Sequence, residues 1–268
     1  MIFTEKLDQA MARNHSRLCL GLDPDPRLMP AGRDIYEFNR AIIEATADLV
    51  CAYKPNLAFY EACGATGMVA LQQTMAAIPR HIPVIADGKR GDIGNTAAAY
   101  ARALFETLGY DAATVNPYMG FDSVEPFLKY QDRGVFILCR TSNAGAADFQ
   151  SLSCQTDDGH FIPLFEMVAR KAREWNKAGN VGLVVGATYP DELKKLRQNF
   201  PELPFLIPGV GAQGGEVELA VRFGSGPRGR AIINSSRQVL YASREDNFAA
   251  AAREAALKLR DQINQYLA

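Results

Sequence analysis

This sequence contains little histidine and tryptophan, and neither sign of charge is in excess. Its 268 residues include three histidines and one tryptophan, and 29 Lys and Arg stand against 30 Asp and Glu, for a formal net charge of −1. Because nucleic acids and anionic membranes both select for a basic surface, this near-neutral charge argues against either as the main partner. With so few histidines, we expect neither a histidine-rich zinc site nor a histidine general base.

Paired cysteines and long apolar runs are missing as well. The five cysteines are an odd number without a Cys-x-x-Cys pair, which is not the pattern of a disulfide framework. Cys19 and Cys139 lie inside apolar runs, where a thiol acts as a small hydrophobic group. No apolar run approaches the roughly 18 residues that span a bilayer, and charges interrupt positions 1–16, so we expect no signal peptide. We therefore expect a cytoplasmic protein of enzyme size that binds no membrane.

What the chain does have is a repeated alternation of short apolar runs and helix-period segments. Most of the runs are continuous rather than alternating, which is typical of parallel strands that are covered on both faces. Between the first two runs, Ile35, Phe38 and Ile42 are spaced by three and four residues and predict one apolar helix face. The eight runs are Leu18–Asp23, Cys51–Asn56, Pro83–Asp87, Ala112–Asn116, Val135–Ser142, Val181–Ala187, Phe205–Gly209 and Ala231–Ser235.

This alternation predicts the α/β class, and two architectures fit it. Eight parallel strands close on themselves in a (β/α)8 TIM barrel, which has typically about 250 residues. An open, doubly wound sheet accepts the same order of elements. The count of eight favours the barrel, as a single domain over residues 1–268. The long polar stretch Asn143–His160 after the fifth run is predicted to be a loop that acts as a lid.

Polar residues stand where the apolar runs end. A single Asp or Asn at such a place is ordinarily a helix cap or a turn residue. In a barrel, however, all carboxyl ends of the strands open on one face, and that face carries the chemistry. Seven polar ends on one rim therefore predict a site there. They are Asp23, Lys54 with Asn56, Asp87 with Lys89, Asn116, Arg140 with Ser142, Pro208, and Ser235–Arg237.

The densest polar stretch spans positions 86–96. Asp87 and Lys89 are two residues apart, so on an extended segment their side chains point the same way. Asp92 lies beyond a turn and need not face the same site within one subunit. Opposite charges about 4 Å apart attract by about 4 kcal/mol at an effective dielectric constant of 20, which favours the charged forms. The alternative is a solvated loop in which Asp92 caps a helix.

A second cluster is rich in glycine and follows the seventh run, at positions 208–215. This cluster and Arg237 together have the features of a phosphate site. Glycine lets backbone amides approach an anion closely, and arginine forms bidentate hydrogen bonds with phosphate oxygens. Loops after the seventh and eighth strands of barrels commonly bind phosphate. The spacing of Gly209, Gly211 and Gly214 also matches a dinucleotide-binding motif. That motif belongs in an opening strand–helix–strand unit with an acidic residue about 20 positions on. Here the motif lies near the end of the sequence and the next strand ends in Asn234, so we do not expect a dinucleotide site.

The segment Asp87-Gly88-Lys89-Arg90-Gly91-Asp92-Ile93, followed by Thr96, resembles the signature of orotidine 5′-phosphate decarboxylases. Four further stretches match in order, namely 22–24, 53–56, 141–145 and 208–215. The resemblance covers nearly the whole chain and is greatest to the longer bacterial subfamily. It implies a (β/α)8 barrel that works as a homodimer without metal or organic cofactor. It also implies decarboxylation of orotidine 5′-monophosphate to uridine 5′-monophosphate, the last step of de novo UMP biosynthesis.

The resemblance implies that a charged array carries out the chemistry. Its catalytic residues would be Lys54, Asp87, Lys89 and Asp92. Loss of carbon dioxide leaves an electron pair in a ring σ orbital without a π sink, so the ammonium of Lys89 would stabilise that carbanion and then protonate it. Asp92 and Thr96 would reach into the site of the partner subunit, and Ser142 would contact the pyrimidine.

The substrate-binding residues carried over from the family surround this array. They would be Asp23, Thr96, Ser142, Pro208, Gln213, Ser236 and Arg237. Asp23 with Lys54 would hold ribose hydroxyls, and Gln213 with Arg237 would hold the phosphate. The family often has Gly-Arg where this chain has Ser236 before Arg237, so the backbone contact at that position is a departure from the pattern.

Two alternatives stay open at this point. Metal-assisted sugar-phosphate lyases on a similar barrel share an Asp-x-Lys-x-x-Asp stretch, but their second strand typically ends in a carboxylate for magnesium. Here that end carries Lys54, whose charge opposes a divalent ion, and Glu61 lies beyond the strand. The other alternative is a barrel that binds a phosphorylated ligand without catalysis. That alternative does not explain why a lysine stands at position 89.

Overall fold

Strands and helices alternate along the chain. The computed structural model describes residues 1–211, 216–226 and 229–267. The strands in this part are β1 Leu18–Leu22, β2 Ala52–Pro55, β3 Ile85–Arg90, β4 Ala112–Val115, β5 Gly134–Arg140, β6 Ser153–Gln155, β7 Phe161–Pro163, β8 Val181–Val185, β9 Phe205–Ile207 and β10 Ala231–Ser235. The α-helices are α1 Phe3–Asn14, α2 Ile35–Thr46, α3 Leu57–Glu61, α4 Gly64–Ala77, α5 Gly94–Arg102, α6 Phe121–Leu128, α7 Leu164–Trp175, α8 Pro190–Asn199, α9 Val217–Ser225, α10 Arg237–Leu240 and α11 Phe248–Gln265.

Eight of the described strands form one parallel sheet in the order β2-β1-β10-β9-β8-β5-β4-β3. Two isolated parallel bridges, Tyr53 with Val84 and Asn56 with Asp87, join the two ends of this sheet. The bridges close the sheet into a barrel with helices outside it. The predicted (β/α)8 TIM barrel is thus confirmed, and the open sheet is wrong.

Apolar side chains fill both faces of the strands. Along β1, Leu18 and Leu20 pack in the layer between strands and helices, whereas Cys19 packs inside the barrel with Phe136 and Val184. This two-sided burial is why the runs are continuous in sequence. The burial of Cys19 also confirms its prediction as a small hydrophobic group.

The helix α2 shows how an outer element is fixed. Phe38 and Ile42 of the predicted apolar face are fully buried. The Asp34 carboxylate accepts a hydrogen bond of 2.7 Å from the Glu37 amide, which caps the first turn. A polar start and one apolar face orient the helix against the barrel. Among the described helices, none is long and apolar enough to cross a membrane.

The amino-terminal end of the barrel is closed by α1, a helix that the apolar runs did not predict. Phe3 and Leu7 of this helix belong to the cluster inside the barrel. The ring of Phe3 meets that of Phe136 edge-on, with centroids 5.7 Å apart. A Cβ atom added at Gly134 would collide with the Phe3 ring. This end is therefore packed with apolar groups, which leaves the opposite end for polar side chains.

The segment Asn143–His160 is more structured than the predicted loop. It begins with a 3-10 helix, Ala144–Asp148. The strands β6 and β7 then pair antiparallel from Ser153 with Pro163 to Gln155 with Phe161. The predicted loop thus has secondary structure of its own, because its backbone satisfies hydrogen bonds within a local hairpin.

The amino-terminal end of the barrel, which α1 closes, provides a test of the fold. We expect Phe3→Ala to lower the free energy of unfolding by about 3–5 kcal/mol, because it leaves a cavity against Phe136. Urea denaturation measures this loss, with Val69→Ala on the exposed face of α4 as a control that changes stability by less than about 0.5 kcal/mol. Equal effects of the two substitutions would contradict the role of Phe3.

Candidate active site

A cavity of about 490 Å³ opens at the carboxyl ends of the barrel strands. It is the place where the polar strand ends were predicted to meet. The residues that line it are Asp23, Lys54, Asn56, Asp87, Lys89, Thr114, Leu138, Thr141, Ser142, Asn143, Gln150, Val184, Leu206, Pro208, Gly209, Val210, Asn234, Ser235, Ser236 and Arg237. Most of the predicted site residues are therefore brought together.

Two lysines share one carboxylate at this cavity. The Nζ atoms of Lys54 and Lys89 donate to Oδ2 and Oδ1 of Asp87, each at 2.7 Å. Lys54 and Asp87 are only 4% and 9% exposed, whereas half of the Lys89 side chain, 49%, is exposed. The pair Lys54–Asp87 is thus buried, whereas the more exposed Lys89 side chain lines the open cavity.

The charges of this array hold each other in the ionised form. Burial by itself would raise the pKa of Asp87, but Lys54 and Lys89 hold that pKa well below its ordinary value. Burial would likewise lower the pKa of Lys54, yet the charges of Asp87 and Asp23 raise it above its ordinary value. The attraction between the lysines and carboxylates therefore outweighs the loss of solvent.

The route by which Asp87 and Lys89 meet differs from the prediction. The segment is not regularly extended, because Lys89 has a left-handed backbone with φ of 46°. The pairing of β3 with β4 passes from Ala86–Ala113 to Arg90–Val115, which leaves a bulge in β3. The side chains approach each other because of this bulge and not because of strand alternation.

The glycines near Lys89, Gly88 and Gly91, do not carry the left-handed backbone of this segment. Neither Gly88 nor Gly91 has a positive φ. A Cβ atom at Gly91 would lie 2.9 Å from the carbonyl oxygen of Asn116, and one at Gly88 would lie 2.9 Å from a methyl group of Leu57. These glycines allow close packing, while the unusual backbone falls on the lysine.

Asp23 lines the cavity and, in the described part of the chain, has one carboxylate oxygen without a hydrogen bond. Its Oδ1 atom is buried and has no hydrogen-bond partner among the described residues. The hydroxyl of Tyr241 donates to the Asp23 carbonyl at 2.8 Å and accepts from the Asp25 amide at 2.7 Å. Burial raises the pKa of Tyr241 to about 12, so the phenol keeps its proton. Tyr241 lies just after α10, and no sequence motif pointed to it.

The predicted phosphate side of the cavity is described in part. Pro208, Ser236 and Arg237 line the cavity. Ser236 approaches Gly21 so closely that a Cβ atom there would collide with the serine hydroxyl. The glycine thus makes room for the residue that departs from the family pattern. Gln213 lies outside the described residues, as do positions 212–215 as a whole.

The end of β5 is held by a residue that the sequence reading missed. The Gln150 side chain accepts from the Thr141 amide at 2.8 Å and donates to the Thr141 hydroxyl at 2.7 Å. This places Ser142 at the cavity wall. Gln150 was not predicted, because its partner is known only once the segment 143–160 folds back over the strand.

Arg140 was predicted at the rim but points away from the cavity. It is buried and donates to Glu192 at 2.5 Å, and its guanidinium lies 3.8 Å from the ring centroid of Tyr189. Asn116 does not line the cavity in the described structure, where its Oδ1 accepts from the Tyr118 amide. These two residues therefore lie apart from the cavity, whereas Ser142, which follows the same strand as Arg140, lines it.

Asp92 and Thr96 also lie apart from the described lining of their own chain's cavity. The Asp92 carboxylate accepts from the Ile93 amide at 2.8 Å, and Thr96 is exposed on α5. Glu61, the carboxylate near the second strand, forms an ion pair with Arg90. In the described part of the chain, no group of three or more His, Cys, Asp or Glu residues is arranged to hold a metal ion.

The depressed pKa of Asp87 predicts how stability depends on pH. A lowered folded-state pKa contributes stability above the ordinary value of 3.8, and this contribution is lost as pH falls through the folded-state pKa. We expect Asp87→Asn to lower the free energy of unfolding by about 2 kcal/mol at neutral pH, and the gap to the unsubstituted protein to shrink below about pH 4.

Urea denaturation at a series of pH values measures this gap. The matched control is Asp8→Asn, which removes a partly exposed ion pair with Arg230 and changes stability by less than about 1 kcal/mol. A gap for Asp87→Asn that stays constant from neutral to acidic pH would contradict the assigned ionisation.

The comparisons with known proteins agree over the whole chain. A profile described as "Orotidine 5'-phosphate decarboxylase / HUMPS family" matches residues 16–255. The orotidine 5′-phosphate decarboxylases of Dehalococcoides mccartyi strain CBDB1 and Thermomicrobium roseum are 57% and 56% identical, each over 99% of this chain and over 98% and 96% of their own. The structure of Leishmania donovani OMP decarboxylase has a TM-score of 0.84 at 40% identity, over 100% of this chain and 99% of that one. With its barrel and its paired lysines, the chain therefore belongs to the orotidine 5′-phosphate decarboxylase family.

Proposed function

We propose that this protein decarboxylates orotidine 5′-monophosphate to uridine 5′-monophosphate and carbon dioxide, the last step of de novo UMP biosynthesis. The observation that carries the proposal is the array of Lys54, Asp87 and Lys89 at the mouth of the barrel. Membership of the family supplies the substrate, and the array supplies the chemistry that this substrate requires.

The ammonium of Lys89 stabilises and then protonates the carbon from which carbon dioxide departs. The bond between the ring carbon and the carboxylate breaks, and its electron pair stays on the ring carbon in a σ orbital. A preorganised positive charge stabilises that carbanion, and the same ammonium then delivers a proton to form the new C–H bond. Asp87 holds the Lys89 amine at 2.7 Å, so little reorganisation is needed during the reaction.

Asp87 also acts on the substrate before the bond breaks. A carboxylate that stays ionised beside the substrate's own carboxylate repels it, and this repulsion falls as the leaving group becomes neutral carbon dioxide. The two lysines keep Asp87 ionised. The array therefore favours the transition state over the bound substrate.

The remaining cavity residues fit the rest of the nucleotide. The carboxylate of Asp23, which lines the cavity with Lys54, is suited to a ribose hydroxyl. Ser142 lies where it can meet the pyrimidine, and Arg237 and Pro208 line the side assigned to phosphate. We assign Ser236 and Gln213 to that same phosphate side. Because the phosphate is remote from the reacting carbon, its binding energy can serve to close loops over the site.

Metal-assisted lyase chemistry is less well supported by the donor set. The end of β2 places the cation Lys54 where a magnesium ligand would be needed, 2.7 Å from Asp87. Glu61 is engaged with Arg90. We therefore propose a reaction in which ammonium groups, and no metal or organic cofactor, stabilise the developing charge.

We propose further that the working unit is a homodimer in which Asp92 and Thr96 complete the partner's site. Exposed apolar side chains follow β3, β4 and β5 in the described structure, with Tyr118 80% exposed and in edge-on contact with Phe149. Clusters of this kind mark protein interfaces. If a second copy of the chain covered these side chains, Asp92, which lies apart from its own cavity, would reach the cavity of that second copy.

Two coarser features complete the proposal. We assign residues 1–268 to one decarboxylase domain, since the family match and the barrel together span most of the chain. We also place the protein in the cytoplasm. Phosphorylated nucleotides do not cross bilayers unaided, so the enzyme must share a compartment with the reactions that supply its substrate.

The proposed activity is tested by an ultraviolet assay for conversion of orotidine 5′-monophosphate to uridine 5′-monophosphate with a chelator present. We expect Lys89→Ala to lower kcat by more than about 10³-fold, since it removes both the charge and the proton donor. The variant should still bind uridine 5′-monophosphate. Lys258→Ala, on an exposed part of α11, is the matched control and should keep full turnover. Near-normal turnover of Lys89→Ala, or inhibition by the chelator, would refute the assignment.

The proposed dimer is tested by mixing two inactive variants. Lys89→Ala and Asp92→Ala subunits, exchanged and mixed in equal amounts, should recover about one quarter of the normal sites, because half of the dimers are hybrids with one intact site. Turnover of each variant alone is the baseline. No recovery after proven subunit exchange would show that Asp92 serves its own chain.

A further inference from the structure

The bulge in β3 is unusually large for the strand that faces it. Between the paired positions Ala86–Ala113 and Arg90–Val115, β3 has three residues, 87–89, while β4 has one, Thr114. A parallel ladder cannot pair three residues with one, so backbone groups in this stretch need other partners. Both Asp87 and Lys89 belong to it.

The hydroxyl of Thr114 takes over this pairing. It accepts a hydrogen bond of 3.0 Å from the Lys89 backbone amide and donates one of 3.1 Å to Oδ1 of Asp87. The carbonyl of Ala86 lies farther, at 3.5 Å. A hydroxyl has a single hydrogen, and the shorter contact to a charged acceptor is the stronger one. Thr114 is 1% exposed, so water does not readily replace it.

The contact to Lys89 stabilises a backbone that is unfavourable by itself. A residue with a side chain in the left-handed region, as Lys89 is at φ of 46°, persists only when its surroundings hold it there. The amide of this residue donates to Thr114. The same hydroxyl therefore fixes both where the Lys89 chain leaves the backbone and where its partner oxygen stands.

We propose that Thr114 is a positioning residue that sets the Asp87 carboxylate and the Lys89 ammonium in their reactive arrangement. The inference rests on the proposed decarboxylation. The Asp87 carboxylate receives Lys54 on Oδ2, and Lys89 and Thr114 on Oδ1. Without the hydroxyl, Oδ1 keeps only the half-exposed Lys89 as a donor. The carboxylate and the ammonium are then free to shift together, away from the reacting carbon.

The test compares Thr114→Val, which keeps the shape and removes the hydroxyl, with Thr114→Ser, which keeps the hydroxyl. We expect kcat for orotidine 5′-monophosphate to fall on the order of 10- to 100-fold in Thr114→Val and to stay within about threefold in Thr114→Ser. KM and the affinity for uridine 5′-monophosphate should change by less than about threefold in both, since binding uses other groups.

A loss of kcat that both variants share, or one matched by an equal rise in KM, would overturn the proposal, as would a fully active Thr114→Val. If Thr114→Val does not fold, Thr114→Cys replaces it, because a thiol is a weak hydrogen-bonding group of similar size. Thermal unfolding of each variant separates folding from catalysis. Turnover by the unsubstituted protein is measured first, so its absence would reject the proposed function and not the role of Thr114.

Discussion

A negative charge shared between two ammonium groups is the constraint on which this molecule depends. The carboxylate of Asp87 is buried, and an unpaired charge in that place would strongly destabilise the fold. Lys54 and Lys89 satisfy it from two sides, each at 2.7 Å. The array exists only because the sheet is closed, since the bridge between Asn56 and Asp87 brings the second strand to the third. Closure of the barrel and assembly of the site therefore depend on the same contacts.

The two ends of the barrel divide stability from chemistry. At the amino-terminal end, α1 seals the interior with the rings of Phe3 and Phe136 in contact. At the carboxyl end, the strands finish in charged and polar groups around an open cavity. Polar groups crowded at one end are tolerated because the apolar remainder holds the strands in register. Changes at the amino-terminal end therefore act on folding. Changes at the carboxyl end act on the reaction and, at the buried Asp87, on stability as well.

The backbone of the mouth is shaped for function at some expense to local geometry. Lys89 carries a left-handed conformation while neighbouring Gly88 and Gly91 do not. Such strain collects at active sites, where the surroundings over-determine one conformation. Here the hydroxyl of Thr114 and the carboxylate of Asp87 do so. The Asp92 carboxylate accepts from the Ile93 amide and lies apart from the array of its own chain, as the proposed dimer requires.

The sequence by itself determined the alternation of eight strands with helices, favoured the closed barrel and placed Lys54, Asp87 and Lys89 at strand ends on one rim. Apolar periodicity and charged residues at strand ends indicate those features, and both are local signals. The tertiary structure alone decided that Arg140 turns away toward Glu192, and that Gln150 and Tyr241 hold the loops around the cavity. It alone placed Thr114 at the bulge. These roles depend on contacts between segments far apart in the chain, and local spacing carries no information about which distant groups will meet.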